Sequence, residues 1–212
     1  MNEAKDRQAG NRAEELPRLS MADRRWLLRL ARNSVEAAVS RRRMEPVDRK
    51  VLSAAVRQRA DCFVTLYRFG SLRGCIGSRS GAGELWEAVI DSARASAIED
   101  PRFMPVTPDE LEDLVIEISV LTPLRPIAWR TEDDIRAQLK PFVHGVRIRN
   151  GLRRALYLPK VWEHFAGASD PVSAFLEHLS QKAGDLFGTM WRDPATTYEV
   201  FELSDTSSDL AE

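Results

Sequence analysis

Ser71-Leu72-Arg73-Gly74-Cys75-Ile76-Gly77-Ser78 brings together the residue types that a reactive or binding site needs. A thiolate is a strong nucleophile, and a neighbouring cation favours its formation. Arg73 stands two residues from Cys75, so in a regular strand the two side chains share a face. Glycine weakens a strand interior, so Gly74 and Gly77 mark a bulge or the close approach of a ligand or another backbone. Two readings stay open. In the first, Cys75 is a nucleophile on a tight turn, and exposed backbone N–H groups of Gly74, Ile76 and Gly77 hold an anion beside Arg73. In the second, Cys75 is a small buried residue of a hairpin, the commoner fate of an unpaired cysteine.

Other chemistry-bearing residues are more scattered. His144 stands in the strand entry Phe142-Val143-His144-Gly145 and is the candidate general base. A satisfied structural histidine is the competing reading. His164 and His178 lie on helical segments and read as surface residues. Cys62 opens a strand and reads as core. In Glu99-Asp100-Pro101-Arg102-Phe103, a carboxylate could serve as an acid or base, or pair with Arg73 or Arg102. There is no metal-ligand spacing, P-loop, dinucleotide fingerprint or nucleophile elbow, so no cofactor or metal is expected.

The chain has 212 residues, which suits one domain with room for a small lobe. Two Cys and three His exclude a disulfide scaffold and a zinc-finger array. No apolar run approaches the ~18 residues of a membrane helix, and no signal-like apolar segment opens the chain, so a cytoplasmic location is expected. The net charge of −1 argues against a dedicated nucleic-acid binder. Arg41-Arg42-Arg43 is too short for the usual basic tract.

These residues need positioning elements. Residues 1–18 are polar and expected to be disordered, as is the acidic tail 204–212, which leaves 19–203 as the folded part. Ser20 with Asp23 starts a first helix, and a short amphipathic helix is expected near Asp48 to Gln58. Cys62–Tyr67 and Leu72–Ile76 form a hairpin with a distorted second strand. A helix faced by Leu85, Trp86, Val89, Ile90, Ala93 and Ala97 follows, stopped by Asp100-Pro101. Thr107-Pro108-Asp109-Glu110 starts a short helix before a strand, Leu114 to Leu121. Thr131 with Asp134 caps another helix. Val143–Arg149 and Leu152–Leu158 flank Asn150-Gly151, the pair suited to a type I′ turn. Pro159 opens a helical turn, Asp170-Pro171 starts the last long helix, and Thr197–Leu203 is a final strand. Strands joined by hairpins and irregularly spaced helices give an α+β fold with a mainly antiparallel sheet.

The ordered set of segments has a known likeness. Leu72-Arg73-Gly74-Cys75-Ile76-Gly77 resembles the hallmark of the AMMECR-type domain family, called AmmeMemoRadiSam system protein A in prokaryotes. Phe63-Val64-Thr65-Leu66, Ala97–Phe103, Glu110-Leu111 through Leu121, His144–Ile148, Tyr157–Val161 and Lys182-Ala183-Gly184 fall in family order. The resemblance spans about residues 20–203. It implies a larger and a smaller lobe with the hexapeptide lining a cleft between them. It also implies association with a Memo-type protein and a radical S-adenosylmethionine enzyme, because their genes travel together. It implies no established reaction. The expectation is an accessory or binding module whose cleft takes a small anionic ligand or a peptide, with Arg73, Gly74, Ile76, Gly77 and Arg102 as binding residues. The alternative is an enzyme with Cys75 as nucleophile and His144 as base.

Overall fold

Ser20 caps the first helix as its spacing to Asp23 suggests. Its hydroxyl accepts from the Asp23 N–H at 3.1 Å, and Asp23 accepts from the Ser20 N–H at 2.9 Å. Helix α1, Met21–Val39, follows and buries Leu27, Leu30, Ala31 and Val35. Ser20→Ala should lower stability by about 1 kcal/mol in urea unfolding, and an unchanged midpoint would show that the cap is idle. The computed structural model describes residues 18–77 and 83–208. The expected N-terminal tail therefore lies outside the described residues except for Arg18.

The chain divides into two units: residues up to Val120 together with those from Ser204, and Leu121–Leu203. In the first, β1 (Cys62–Arg68) pairs antiparallel with β2 (Ser71–Gly77) and with β3 (Leu114–Leu121). Strand β8 (Leu203–Ser208) completes the order β2-β1-β3-β8. Helix α2, Leu85–Ile98, packs on β1 and β2, and α1 packs on α2. Cys62, Val64, Leu66, Ile116 and Ile118 point from the sheet into this core, as period-two alternation requires.

Two expectations fail in this unit. Asp48 to Gln58 forms only a 3-10 turn, Arg49–Val51, rather than a helix. The Val56 and Gln58 carbonyls instead accept from the Trp86 and Leu85 N–H groups, at 3.2 and 2.9 Å, and so cap α2. The expected acidic tail is a strand over its described part, 204–208, and 209–212 lie outside the described residues. Sheet pairing next to β3 outweighs its polar composition, and the Ser204 hydroxyl donates to the Val120 carbonyl at 3.2 Å.

The second unit holds β4 (Arg125–Ile127), α3 (Glu132–Gln138), β5 (Gly145–Asn150), β6 (Arg153–Tyr157), α4 (Pro171–Lys182) and β7 (Thr197–Phe201). Its sheet order is β4-β7-β5-β6, with every pair antiparallel. Trp162 stacks on Phe175 at a 3.7 Å centroid distance in its core. The β5–β6 hairpin is shifted by one residue from the expected register. Asn150 pairs with Arg153, so Gly151 and Leu152 are the turn's central residues. Only Gly151 has positive φ (58°), the pattern of a type II′ turn rather than I′. The architecture is α+β with two antiparallel sheets. Among the described residues, no helix is long and apolar enough to cross a membrane.

Candidate functional site

The hairpin that carries Cys75 is irregular at Arg73. Leu66 faces Gly74 and Tyr67 faces Leu72, so Arg73 is the extra residue of a β-bulge. The regular-strand premise that put Arg73 beside Cys75 does not hold. Its guanidinium is committed elsewhere. Nε and Nη2 donate to Oε1 and Oε2 of Glu110, each at 2.9 Å, and Nη1 donates to the Met104 carbonyl at 2.9 Å. Its side chain is only 15% exposed. Glu110 also accepts from the Thr107 N–H at 2.9 Å and from Arg68 at 3.1 Å. Arg73 above all holds the Glu110 carboxyl down to about 2. Arg73 is therefore a tie between β2 and the turn Pro108–Asp113, which corrects its expected role as a waiting anion anchor.

Gly74 also has a structural reason. A Cβ built on it would lie 2.2 Å from the Ser96 carbonyl oxygen of α2. The glycine admits the helix backbone, which is the second of the two causes that a strand glycine suggests. The Ser96 hydroxyl then threads between the strands. It accepts from the Ile76 N–H at 2.8 Å and donates to the Val64 carbonyl at 2.7 Å.

Cys75 faces Thr65 across the ladder, on the side of the sheet away from α2. It is half-buried, and the Thr65 hydroxyl donates to its sulfur at 3.3 Å. Its backbone points out from the β2 edge and is covered. The Cys75 N–H donates to Asp100 Oδ2 at 2.9 Å, and Arg102 Nη2 donates to the Cys75 carbonyl at 3.2 Å. Asp100 and Arg102 pair through Nη2 and Oδ2 at 2.7 Å. Together they blunt an exposed strand edge. Asp100 first, and the Cys75 side chain to a smaller degree, raise the Arg102 pKa. The cation that accompanies the thiol is thus Arg102, not Arg73. It comes with the Asp100 carboxylate, so the pair brings no net charge.

His144 belongs to the second unit and Cys75 to the first. The His144 Nδ1 accepts from the Lys140 N–H at 3.1 Å, which leaves the proton on Nε2, 3.6 Å from Glu202 Oε1. The ring is 1% exposed, and burial above all lowers its pKa. The charged form is thus disfavoured in the fold, so stability should fall as pH drops below ~6.5. Imidazole NMR should read a neutral ring with its proton on Nε2 at pH 6.5, and a charged ring there would contradict this assignment. His164 and His178 are exposed. Cys62 is fully buried, and burial pushes its thiol up to about 12.

Beyond Cys75, Ile76 and Gly77 border a pocket of about 590 Å³ between the end of β2 and α2. Asp61, Trp86, Glu87, Ile90, Asp91 and Glu99 are among the residues that line it. Arg94, also there, pairs with Glu99 at 2.5 Å. Neither Cys75 nor Arg73 lines this pocket. Among the described residues, no group of three or more His, Cys, Asp or Glu could hold a metal ion.

A family model described as AMMECR1 matches residues 28–206. The chain belongs to the AMMECR1 family. Relatives of this AMMECR1-family chain include a protein of Methanothermobacter thermautotrophicus, 36% identical, the match covering 87% of this chain and 93% of the relative. A protein of Thermococcus gammatolerans is 37% identical, with 84% and 88% covered. Among solved structures, the crystal structure of an uncharacterized protein from Pyrococcus horikoshii is similar at a TM-score of 0.73 and 34% identity, covering 84% of this chain and 87% of that one.

Sequence reasoning missed three residues that hold the Leu72–Gly77 segment of this AMMECR1-family chain in place. Thr65, Ser96 and Glu110 hold Cys75, Ile76 and Arg73. Glu110 was visible as a helix-cap residue and as part of a family-like segment, but not as a partner of Arg73, and Ser96 only as one more small residue in Ala93–Ala97. Neither long-range contact leaves a local spacing signal.

Proposed function

We propose that this AMMECR1-family protein is an accessory binding module, not a cysteine-dependent enzyme, and that it acts with a Memo-type protein and a radical S-adenosylmethionine enzyme. One observation carries this reading. The groups that catalysis would need around Cys75 are already satisfied inside the first unit. The Arg73 fork is taken by Glu110, the Cys75 N–H by Asp100 and the Ile76 N–H by Ser96. An oxyanion stabiliser must aim unsatisfied donors at the reacting atom. The Nδ1 lone pair of His144, the candidate base, is occupied by the Lys140 N–H.

The docking point in this reading is the pocket beside Ile76 and Gly77. Its volume lies in the range of ligand sites, ~300–1,000 Å³. Its described lining has four carboxylates and one arginine, the latter paired with Glu99. That balance favours a cationic group, such as a basic side chain of a partner peptide, over the anion that the motif alone suggested. Trp86 and Ile90 supply the apolar wall for its stem.

The test is calorimetry of the purified protein with each purified partner from the same genome. Asp91→Lys should weaken the complex at least tenfold, because it sets a cation against a cation. Asp91 is at a solvent-facing helix position, so folding should survive the change. Unaltered affinity in Asp91→Lys, or no complex with either partner, overturns the proposal.

A further inference from the structure

The outer face of the second sheet carries an arrangement that the accessory reading does not use. Val146, Ile148, Ala155 and Val200 point into the unit's core. Alternation therefore puts Arg147, Arg149, Arg154 and Glu199 on the opposite face. Arg149 and Arg154 are direct cross-strand partners. Like charges set opposite each other destabilise a sheet. Arg147 is neutralised by Glu199, to which its Nε donates at 2.6 Å. Arg149 has only a 3.3 Å bond to the Gly151 carbonyl, and Arg154 has no ion-pair partner among the described residues. Both are exposed.

These arginines line a groove of about 610 Å³ that also holds Pro126 and Trp129. Trp129 is fixed in place. Its Nε1 donates to the Thr196 carbonyl at 2.9 Å, and its ring meets Tyr198 edge-on at 5.6 Å. It remains half-buried, so part of its ring is open to the groove. The groove thus has an immobilised indole toward the β4 edge and two uncompensated guanidinium groups toward β6. At ~4.8 Å per strand, β4 and β6 are about 14 Å apart, and the long arginine side chains shorten the gap that a ligand must bridge.

An anion alone would need the arginines and not the indole. A hydrophobic ligand would need the indole and not the arginines. We propose that this groove binds a nucleotide, its phosphate between Arg149 and Arg154 and its base against Trp129 and Pro126. Bidentate arginine–phosphate bonding and base–aromatic stacking are the two interactions that such a pairing supplies. The whole-chain charge of −1 does not oppose this, because the field in a groove is set by its own lining. The nucleotide could be free or part of a single strand, since both present the same phosphate and base.

The test uses three probes on the full chain: adenosine diphosphate, a ten-residue single-stranded oligoadenylate, and inorganic phosphate, each followed by calorimetry. Either of the first two should bind at least tenfold tighter than phosphate. Preference for the diphosphate identifies a free ligand. Preference for the oligomer, with affinity falling as salt rises, identifies a strand. Arg149→Gln/Arg154→Gln should weaken the preferred probe at least tenfold, and Trp129→Leu at least fivefold. Because Trp129→Leu removes a packed ring, the arginine variant decides if the tryptophan variant fails to fold. In the absence of ligand, Arg154→Gln should raise Tm by about 1–3 °C as the like-charge contact is relieved. No binding of either nucleotide probe overturns the proposal, as does binding unchanged by the arginine substitutions or equal affinity for phosphate alone.

Discussion

Gly74→Ala is expected to cost about 3 kcal/mol of stability, an effect at the upper end for overpacking. The new methyl would sit 2.2 Å from the Ser96 carbonyl oxygen, a backbone atom in the last turn of α2. No rotamer change relieves that contact, so helix and strand must separate. Separation also breaks the Ser96 hydroxyl link between Ile76 and Val64. Gly151→Ala is the natural comparison. There the added methyl meets nothing within 4 Å, and the cost arises from φ of +58° alone, about 1 kcal/mol. Urea unfolding of both variants separates the two causes. A Gly74→Ala midpoint no lower than that of Gly151→Ala would mean that α2 does not press on β2 as described.

Glu110→Gln should be nearly as damaging, at about 3 kcal/mol. The substitution keeps the shape and removes the charge, leaving the poorly exposed Arg73 guanidinium without its counter-ion. The same pair gives the protein an acid-labile term. Arg73 holds the folded-state Glu110 pKa at about 2, below its ordinary 4.5. The unfolded chain therefore binds this proton first as pH falls. Stability from the pair is complete above pH 4.5 and is lost as pH falls from there toward 2. Glu110→Gln, which cannot titrate, should lower stability at pH 7 and flatten this acid limb. If parent and variant lose stability in parallel between pH 4.5 and 2, the Arg73–Glu110 bond is not what the titration reads.

The sequence was most informative where the physics is local. Ser20 with Asp23, Thr107 with Glu110 and Thr131 with Asp134 all form capping boxes, because three residues bring side chain and backbone together whatever the rest of the chain does. The distorted β2 strand was legible from its glycines. The cause of the distortion was not, because the Ser96 carbonyl lies far along the chain and no pattern near Gly74 records its approach. Arg73 misled for the same reason. Two-residue spacing implies a shared face only in a regular strand, and a bulge breaks that inference. Arg102, a few residues beyond the C-terminal end of α2, reaches the Cys75 carbonyl, a contact that only the folded edge creates. In the second unit, the Asn150-Gly151 signal located the hairpin correctly. Its register moved by one because a single positive φ suffices for a II′ turn. Strand β8 was hidden by composition, since pairing beside β3 supplies the backbone bonds that an acidic tail cannot supply for itself.

The most direct test of the structural reading of the hexapeptide is the rate at which iodoacetamide alkylates Cys75 at pH 7.5, followed by mass spectrometry, with buried Cys62 as the unreactive internal reference. A half-buried thiol whose nearby guanidinium is already balanced by Asp100 should react no faster than glutathione. Alkylation ten or more times faster than glutathione, suppressed in Arg102→Gln, would mean that the cation activates the sulfur and that the motif performs chemistry after all.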